Sequence, residues 1–214
     1  MAERLWRNCP VPGEPVSKLV LASGNRKKIA ELQEILGGFG IEVVPQNAFD
    51  VPEAEETGTT FVENAIIKAR NACRHTGLPA IADDSGIEVD ALNGAPGVYS
   101  ARFSGADATD EKNNALLVEK LRDVAEEKRS ARYHAVLVLM RHADDPTPLI
   151  AHGSWEGKII LTPRGSNGFG YDPHFLVPEL DQTAAELSAE EKHARSHRGK
   201  ALTQLVALLE QKPL

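Results

Sequence analysis

Two adjacent carboxylates, those of Asp83 and Asp84, follow the apolar run that begins at Ala80. Like charges repel, and each loses hydration at the edge of a core, so the pair predicts either a solvated turn or a bound cation. A second acidic pair, Glu55 and Glu56, lies in a predicted loop. Magnesium takes one or two carboxylates and completes its coordination with water and phosphate oxygens, so one residue of each pair could hold it. A Glu-Glu pair in a loop is more often only solvated.

A predicted strand-to-helix turn is followed by basic residues. Main-chain N–H groups at a helix start bind anions, and nearby cations strengthen that binding, so a phosphate site is one interpretation. A capped helix with a solvated basic turn is the alternative. The two common phosphate-loop patterns, Walker A and GxGxxG, do not occur in the chain. The residues of this candidate site are Ser23, Gly24, Asn25, Arg26, Lys27 and Lys28.

Further cations could meet an anionic ligand. Lys68, on a predicted helix, either reaches a phosphate or is a surface lysine. Lys192, His197 and Arg198 straddle Ser196, which is predicted to begin the last helix. His197 and Arg198 in the first turn oppose the helix dipole, and an anion or a polarised carbonyl would relieve that cost. An exposed basic loop is the alternative interpretation.

Three glycines surround an aromatic residue in the sequence GSNGFGYDP at 165–173. Phe169 belongs to no apolar run. Its ring could therefore be displayed by the loop for stacking on a flat ligand, or it could close a tight turn by filling the core.

Hydrophobic spacing and capping residues predict the elements that position these groups in the first half of the chain. A strand over 18–22, a helix from Asn25 whose apolar face includes Phe39 and which ends at Gly37-Gly38, and a strand over 41–44 form a βαβ start. Thr60 and Glu63 form a capping box for a helix that runs to Thr76. The next strand is predicted to stop at the aspartate pair.

Consecutive strands are more frequent in the second half. The predicted elements are a helix capped by Thr109, strands over 133–140 and 149–160 around an Asp-Asp-Pro turn, a one-turn helix begun by Ser188, and a last helix opened by Ser196. Together with the first half, this pattern predicts an α/β fold with a mixed sheet.

Composition limits the classes of partner. The 214 residues include 24 Lys and Arg against 31 Asp and Glu, a net charge of -7, which argues against broad direct binding of nucleic acid. An anionic ligand must therefore meet a local basic cluster. Cys9 and Cys73 are too few for a disulfide framework, and no apolar run approaches the length of a membrane span. We expect a cytoplasmic protein with no membrane partner.

Five segments, taken in order, closely resemble the inosine triphosphate pyrophosphatase family, whose members remove unwanted purine nucleoside triphosphates. The resemblance extends from Lys18 to the C-terminus and is nearest the bacterial branch, and residues 1–17 match nothing in it. The segments are SGNRKK (23–28), EETGTTFVENAIIKAR (55–70), ADDSGIEVDALNGAPGVYSARFSG (82–105), GSNGFGYDP (165–173) and ELSAEEKHARSHRG (186–199).

The resemblance implies an elongated α/β fold, with a mixed β-sheet, flanking helices and two lobes around a central active-site cleft. Residues 18–214 would form this single two-lobed domain after an extended N-terminal lead-in over residues 1–17. It also implies a homodimer and Mg²⁺-dependent hydrolysis of ITP, dITP or XTP to the nucleoside monophosphate and pyrophosphate. Such an enzyme keeps deaminated purines out of DNA and RNA.

The resemblance also implies roles for individual residues. Glu55 and Asp84 correspond to the metal ligands, with Glu56 less favoured, and Asp84 corresponds to the base that activates water. No role follows for Asp83. Residues that match triphosphate contacts are Ser23, Gly24, Asn25, Arg26, Lys27, Lys28, Lys68 and Ser85. Residues that match base and sugar contacts are Phe169, Gly170, Tyr171, Asp172, Lys192, His197 and Arg198.

A donor at Arg198 gives a hypothesis for selectivity. If Arg198 donates to O6 of hypoxanthine or xanthine, adenine is disfavoured because its 6-amino group also donates. Guanine shares the 6-keto group, so its exclusion must arise around position 2.

The main alternative function is a non-hydrolytic purine nucleotide sensor, which could dispense with Glu55 and Asp84. A phosphatase that releases orthophosphate is a third reading.

Overall fold

A computed structural model of the protein describes residues 18–23, 26–37 and 39–211. The predictions made for residues 1–17, Gly24, Asn25 and Gly38 lie outside these ranges. The elements of the described chain are, in order, β1 (Lys18–Leu21), α1 (Arg26–Gly37), β2 (Glu42–Pro45), α2 (Phe61–Thr76), β3 (Ala80–Val89), α3 (Asp110–Leu121), β4 (Ser130–Met140), β5 (Leu149–Ile159), β6 (Phe175–Val177), β7 (Gln182–Thr183), α4 (Ala189–Arg195) and α5 (His197–Gln211).

The seven described strands form one sheet in the order β2-β1-β3-β4-β5-β6-β7. β1 is parallel to β2 and to β3, whereas β6 is antiparallel to both β5 and β7. A parallel pair needs a crossover connection, and α1 supplies it between β1 and β2. The predicted α/β fold with a mixed sheet is confirmed.

Local capping explains where two helices begin. The Thr60 hydroxyl accepts from the Glu63 main-chain N at 3.3 Å, and the Glu63 carboxylate accepts from the Thr60 main-chain N at 3.0 Å, which is the predicted capping box of α2. Ser188 and Glu191 form the same box at α4. Each box satisfies N–H groups that a helix start leaves without intrahelical partners, so these two starts are encoded within four residues.

Three predictions about the elements are wrong. β3 does not stop at the aspartate pair but runs through Asp83 and Asp84 to Val89. Phe39 lies beyond α1 and is 41% exposed, because the helix ends at Gly37 before the next apolar position of its stripe. α4 has seven residues rather than one turn.

The chain divides into two compact units, the first of which contains the described residues up to Asp84, together with Val136–Ala151 and the residues from Leu202 onward. In its core, Ala65 and Ala69 of α2 pack with Val20 of β1 and Val136 of β4. Burial of this face of α2 fixes the rotation of the helix, and Lys68 then lies on its half-buried flank.

The second unit contains Ser85–Ala135 and His152–Ala201. Its core contains an aromatic cluster among aliphatic residues: the ring centroid of Phe175 lies 4.6 Å from that of Tyr133 and 5.2 Å from that of Trp155. Tilted ring pairs of this kind stabilise a core beyond the area they bury.

Among the helices of the described ranges, none combines the length and the apolar character that a bilayer crossing demands.

Candidate active site

Asp83 and Asp84 occupy consecutive positions of β3. The Asp83 side chain is 1% exposed, and that of Asp84 is also largely buried. Successive side chains of a strand point to opposite faces, so each carboxylate needs its own compensating partner. Lysines from α1 and α2 provide these partners, which is why the strand can continue through two adjacent charges.

Lys68 lies at the centre of a charged cluster in the first unit. The cluster consists of Lys28, Glu56, Lys68, Asp83 and Asp84. Its ammonium nitrogen lies 2.5 Å from Oδ1 of Asp84, 3.2 Å from Oε1 of Glu56 and 3.2 Å from the main-chain oxygen of Asp83. One cation is therefore held between two carboxylates and a carbonyl. The Lys68 ammonium group therefore offsets part of the negative charge of these carboxylates.

Lys28 reaches the same part of β3 from the first turn of α1. Its Nζ lies 3.2 Å from Oδ1 of Asp83 and donates to the main-chain oxygen of that residue at 3.4 Å. The carbonyl of Asp83 thus accepts from both lysines, since Lys68 also donates to it. Asp83, for which no role followed from the sequence, holds the predicted phosphate-side lysines next to Asp84.

The Asp84 carboxyl group has a shifted pKa. Burial raises the pKa and the nearby Glu56 charge acts in the same direction, while Lys68 and Lys28 oppose them, and the balance remains a raised pKa. A carboxylate whose pKa moves towards neutrality is a better proton acceptor than an ordinary aspartate.

The two glutamates of the predicted metal pair differ in position. Glu56 is half-buried and shares Lys68 with Asp84, whereas Glu55 is exposed. No group of three or more His, Cys, Asp or Glu side chains arranged for a metal ion occurs within the described ranges. A site of two carboxylates completed by water and phosphate remains compatible with this finding.

The predicted phosphate turn is described only in part. Gly24 and Asn25 lie outside the described residues, while Ser23 follows β1 and its main-chain N donates to the Leu21 oxygen at 2.8 Å. Arg26 and Lys27 occupy the first turn of α1.

The glycine-rich loop of the second unit displays Phe169, a residue that is 50% exposed. Gly168 has a φ of +79°, and a Cβ at this position would lie 2.1 Å from Oδ2 of Asp172. Only glycine fits both the backbone and the space, so the loop can fold tightly over Asp172. Of the two interpretations of Phe169, the structure therefore agrees with a ring displayed by the loop and not with a ring that fills the core.

Asp172 connects the loop to its surroundings. Its buried carboxylate accepts from the Phe169 main-chain N at 2.8 Å and forms an ion pair with Lys192. The Lys192 ammonium also lies 4.9 Å from the centre of the Phe169 ring, a cation–π distance. Three of the predicted base-side residues are thus brought together. Gly170 is held by Asn114, which donates to its carbonyl oxygen at 2.8 Å.

His197 and Arg198 begin α5. The His197 ring is buried and stacks on Tyr133 with centroids 4.8 Å apart and planes inclined by 12°. Arg198 donates to the Ser85 hydroxyl at 3.3 Å. Ser85, a predicted triphosphate contact, is thus held by a predicted base-side residue.

Buried tyrosines support the predicted base-side residues; Tyr171 was among those predicted from the sequence, whereas Tyr133 was missed. Burial, together with the Asp172 charge, raises the pKa of Tyr133 well above its ordinary value, so its hydroxyl remains protonated and donates to Asp172 at 3.3 Å. The Tyr171 hydroxyl donates to the Ser100 carbonyl oxygen at 2.7 Å. A buried tyrosine that must satisfy its hydroxyl is a signal for such a contact, but its partner cannot be named from the sequence.

Fold and residue chemistry together define the class as an α/β protein with a mixed sheet and a half-buried cluster of lysines and carboxylates. The chain belongs to the Ham1 family, whose family model matches residues 19–208.

Similar proteins are known from several bacteria. A dITP/XTP pyrophosphatase of Vibrio cholerae serotype O1 is 59% identical over 196 residues, which cover 92% of this chain and 98% of the relative. A protein of the same name from Escherichia coli O157:H7 is 59% identical over 194 residues, covering 91% and 98%. The structure of a HAM1 protein from Coxiella burnetii superposes with a TM-score of 0.88 at 55% identity, covering 91% and 98%.

Proposed function

We propose that the protein is a pyrophosphohydrolase that converts dITP, ITP and XTP to the nucleoside monophosphate and pyrophosphate. Relatives named dITP/XTP pyrophosphatase are 59% identical over more than nine-tenths of this chain, and they support the reaction and the substrate class. Removal of these triphosphates cleanses the nucleotide pool of deaminated purines.

The observation that carries the assignment of residues is the charge balance around Lys68. Three carboxylates, those of Glu56, Asp83 and Asp84, face the two ammonium groups of Lys28 and Lys68. The cluster therefore has one excess negative charge and would repel a triphosphate. A divalent cation reverses that sign, so these residues fit a metal-dependent site for a polyphosphate.

We assign Mg²⁺ to this cluster, held by Asp84 and by Glu55, the residue that the family resemblance favours. Glu56 is the neighbouring candidate because it already shares Lys68 with Asp84. The ion, when bound, would draw electron density from the phosphate oxygens and neutralise charge as the reaction proceeds.

The chain's own residues supply proton transfer and positioning. Asp84 accepts a proton from the attacking water, and its raised pKa suits that role. Lys28 keeps its ion pair with Asp83 and donates a further N–H group to a phosphate oxygen, while Lys68 exchanges a carboxylate partner for one, and both stabilise the charge of the leaving pyrophosphate. Ser23, Gly24, Asn25, Arg26, Lys27 and Ser85 remain the proposed additional triphosphate contacts.

The second group of residues recognises the base and sugar. The exposed Phe169 ring offers a stacking surface for a purine, and Lys192 on the same ring is held by Asp172. Arg198 is proposed to donate to the 6-keto oxygen, which disfavours adenine. Gly170, Tyr171, Asp172 and His197 complete the proposed contacts.

A homodimer and a cytoplasmic location follow from the resemblance and from composition, and they are part of the proposal. The net charge of -7 supports a small-molecule substrate rather than nucleic acid as the partner.

The test is to incubate the protein and Mg²⁺ with ITP, XTP, GTP and ATP and to separate the products by ion chromatography. We expect pyrophosphate from ITP and XTP and little from GTP or ATP. Orthophosphate as the first product would identify a phosphatase instead, and binding of ITP without turnover would identify a sensor.

A further inference from the structure

Tyr133 is a buried residue of β4 that contacts two separate parts of the second unit's site. It is 8% exposed and belongs to the aromatic core that also contains Trp155 and Phe175. A core role alone would require only packing. Tyr133 also contacts His197 through its ring and Asp172 through its hydroxyl group.

The contact with His197 fixes the orientation of the imidazole. The rings are nearly parallel, at 12°, with centroids 4.8 Å apart. The main chain of His197 is fixed separately, because a Cβ on Gly153 of β5 would lie only 2.0 Å from the His197 carbonyl oxygen. With the backbone held against Gly153, the face of Tyr133 determines which side-chain rotamer of His197 fits.

The contact with Asp172 reaches the other part of the site. The Tyr133 hydroxyl donates to Oδ1, while the Phe169 main-chain N and Lys192 use Oδ2. The carboxylate is thereby fixed from both oxygens, and it in turn holds the loop that displays the Phe169 ring. The Tyr133 side chain therefore contacts both the His197 ring and the carboxylate that holds the Phe169 loop.

We infer that Tyr133 is a positioning residue for recognition of the purine base, acting through His197 and Asp172. This inference rests on the proposed function. Tyr133 is not placed in contact with the substrate, so its effect falls on base recognition rather than on the transfer of the phosphoryl group.

The two contacts of Tyr133 differ in expected weight. The hydrogen bond to Asp172 is long, at 3.3 Å, and Asp172 has two other donors. The stacked ring is the larger contribution. Tyr133→Phe keeps the ring and loses the hydroxyl, whereas Tyr133→Leu loses both, and the comparison separates the two contacts.

The experiment measures kcat and KM for ITP hydrolysis with Mg²⁺, and the inhibition constant of inorganic tripolyphosphate, which has the phosphates but no base. For Tyr133→Leu we expect KM to rise about tenfold, kcat to stay within about threefold, and the tripolyphosphate inhibition constant to stay within about twofold. Tyr133→Phe should retain a KM within about threefold of wild type.

Leu121→Ala is the matched control. Leu121 is fully buried in the same hydrophobic core, and the substitution should lower the melting temperature without changing KM for ITP. Tyr133→Met is a second non-aromatic variant whose flexible side chain fills irregular space, and it makes the same comparison if Tyr133→Leu does not fold.

An unchanged KM in the folded non-aromatic variants would overturn the inference, as would an equal loss of affinity for ITP and tripolyphosphate. Either result is distinguishable from failure of the proposed function, in which the wild-type protein would itself release no pyrophosphate from ITP.

Discussion

Lys28 and Asp83 form an ion pair in which Nζ lies 3.2 Å from Oδ1, and the carboxylate is 1% exposed. Because a buried carboxylate without a partner is costly, the pair ties the first turn of α1 to the middle of β3. The Asp83 carbonyl oxygen then accepts from Lys28 and Lys68 together. Asp83 thus positions both lysines that are proposed to contact phosphate, without being assigned a chemical role itself.

Replacement of Asp83 by Asn should weaken this anchor. We expect Asp83→Asn to lower the free energy of unfolding by about 1–3 kcal/mol, since Lys28 loses its charged partner, and to raise KM for ITP. The loss of turnover should be smaller than for Asp84→Asn. Thermal unfolding and steady-state kinetics measure the two effects.

A double-mutant cycle provides the control for that prediction. In the Lys28→Met background, Asp83→Asn should cost less stability than in wild type because the partner charge is already absent. Equal costs in the two backgrounds would show that the pair does not couple α1 to β3.

Glu55 and Glu56 provide a matched pair for locating the metal. Glu55→Gln should raise the Mg²⁺ concentration for half-maximal activity several-fold, because it removes the proposed ligand charge. Glu56→Gln should change KM for ITP more than it changes the Mg²⁺ midpoint, since its carboxylate pairs with Lys68. The reverse pattern would make Glu56 the ligand. Mg²⁺ titrations at saturating ITP measure the midpoints.

Acid stability should depend on Asp145 in the loop between β4 and β5. Burial alone would raise the pKa of Asp145, but hydrogen bonds from the Arg141 side chain and from the main-chain N–H groups of Arg141 and Thr147 hold it well below the usual range. A depressed folded-state pKa gives stability that is fully present above the unfolded-state pKa of about 3.9 and is lost as the pH falls below it.

The corresponding measurement compares urea unfolding of wild type and Asp145→Asn at pH 7 and at pH 3. Their difference in free energy of unfolding should shrink at pH 3, since Asp145 is then becoming protonated on unfolding. A difference that is constant with pH would mean that the ion pair contributes nothing to acid stability.

Cys73 should be unreactive in the folded protein. The residue is 2% exposed, and burial raises the pKa of the thiol to about 12, so almost no thiolate exists at neutral pH. Treatment with iodoacetamide followed by mass spectrometry of the Cys73 peptide should show modification only after unfolding. Rapid native modification of this peptide would contradict the observed burial.

How well each feature could be predicted depended on how far apart its partners lie in the sequence. The capping box of α2 and the start of α4 at Ser188 were predicted because the residues that form each cap are three positions apart, as are Thr60 and Glu63. The end of β3 was predicted wrongly because an Asp-Asp-Ser-Gly sequence is locally typical of a turn. Lys28 and Lys68, which make the continued strand possible, lie far from it in the sequence.

The same reason explains why the residues near Asp84 could be predicted from the sequence and Tyr133 could not. Charged groups such as Lys68 and Asp84 could be nominated by type and by resemblance to a family, although their ion pair could not be deduced from spacing. Tyr133 could not be nominated, because its alternation within β4 is that of any core residue. Its contacts with Asp172 and His197 arise only when distant segments pack together.

The central claim is that Asp84 is a metal ligand and the base in pyrophosphate release. The most direct measurement compares the initial rate of pyrophosphate formation from ITP by wild type and by Asp84→Asn at saturating Mg²⁺, with circular dichroism to verify folding. We predict a folded variant whose turnover is reduced at least about a hundredfold. A folded Asp84→Asn variant that releases pyrophosphate within about tenfold of the wild-type rate would contradict the account.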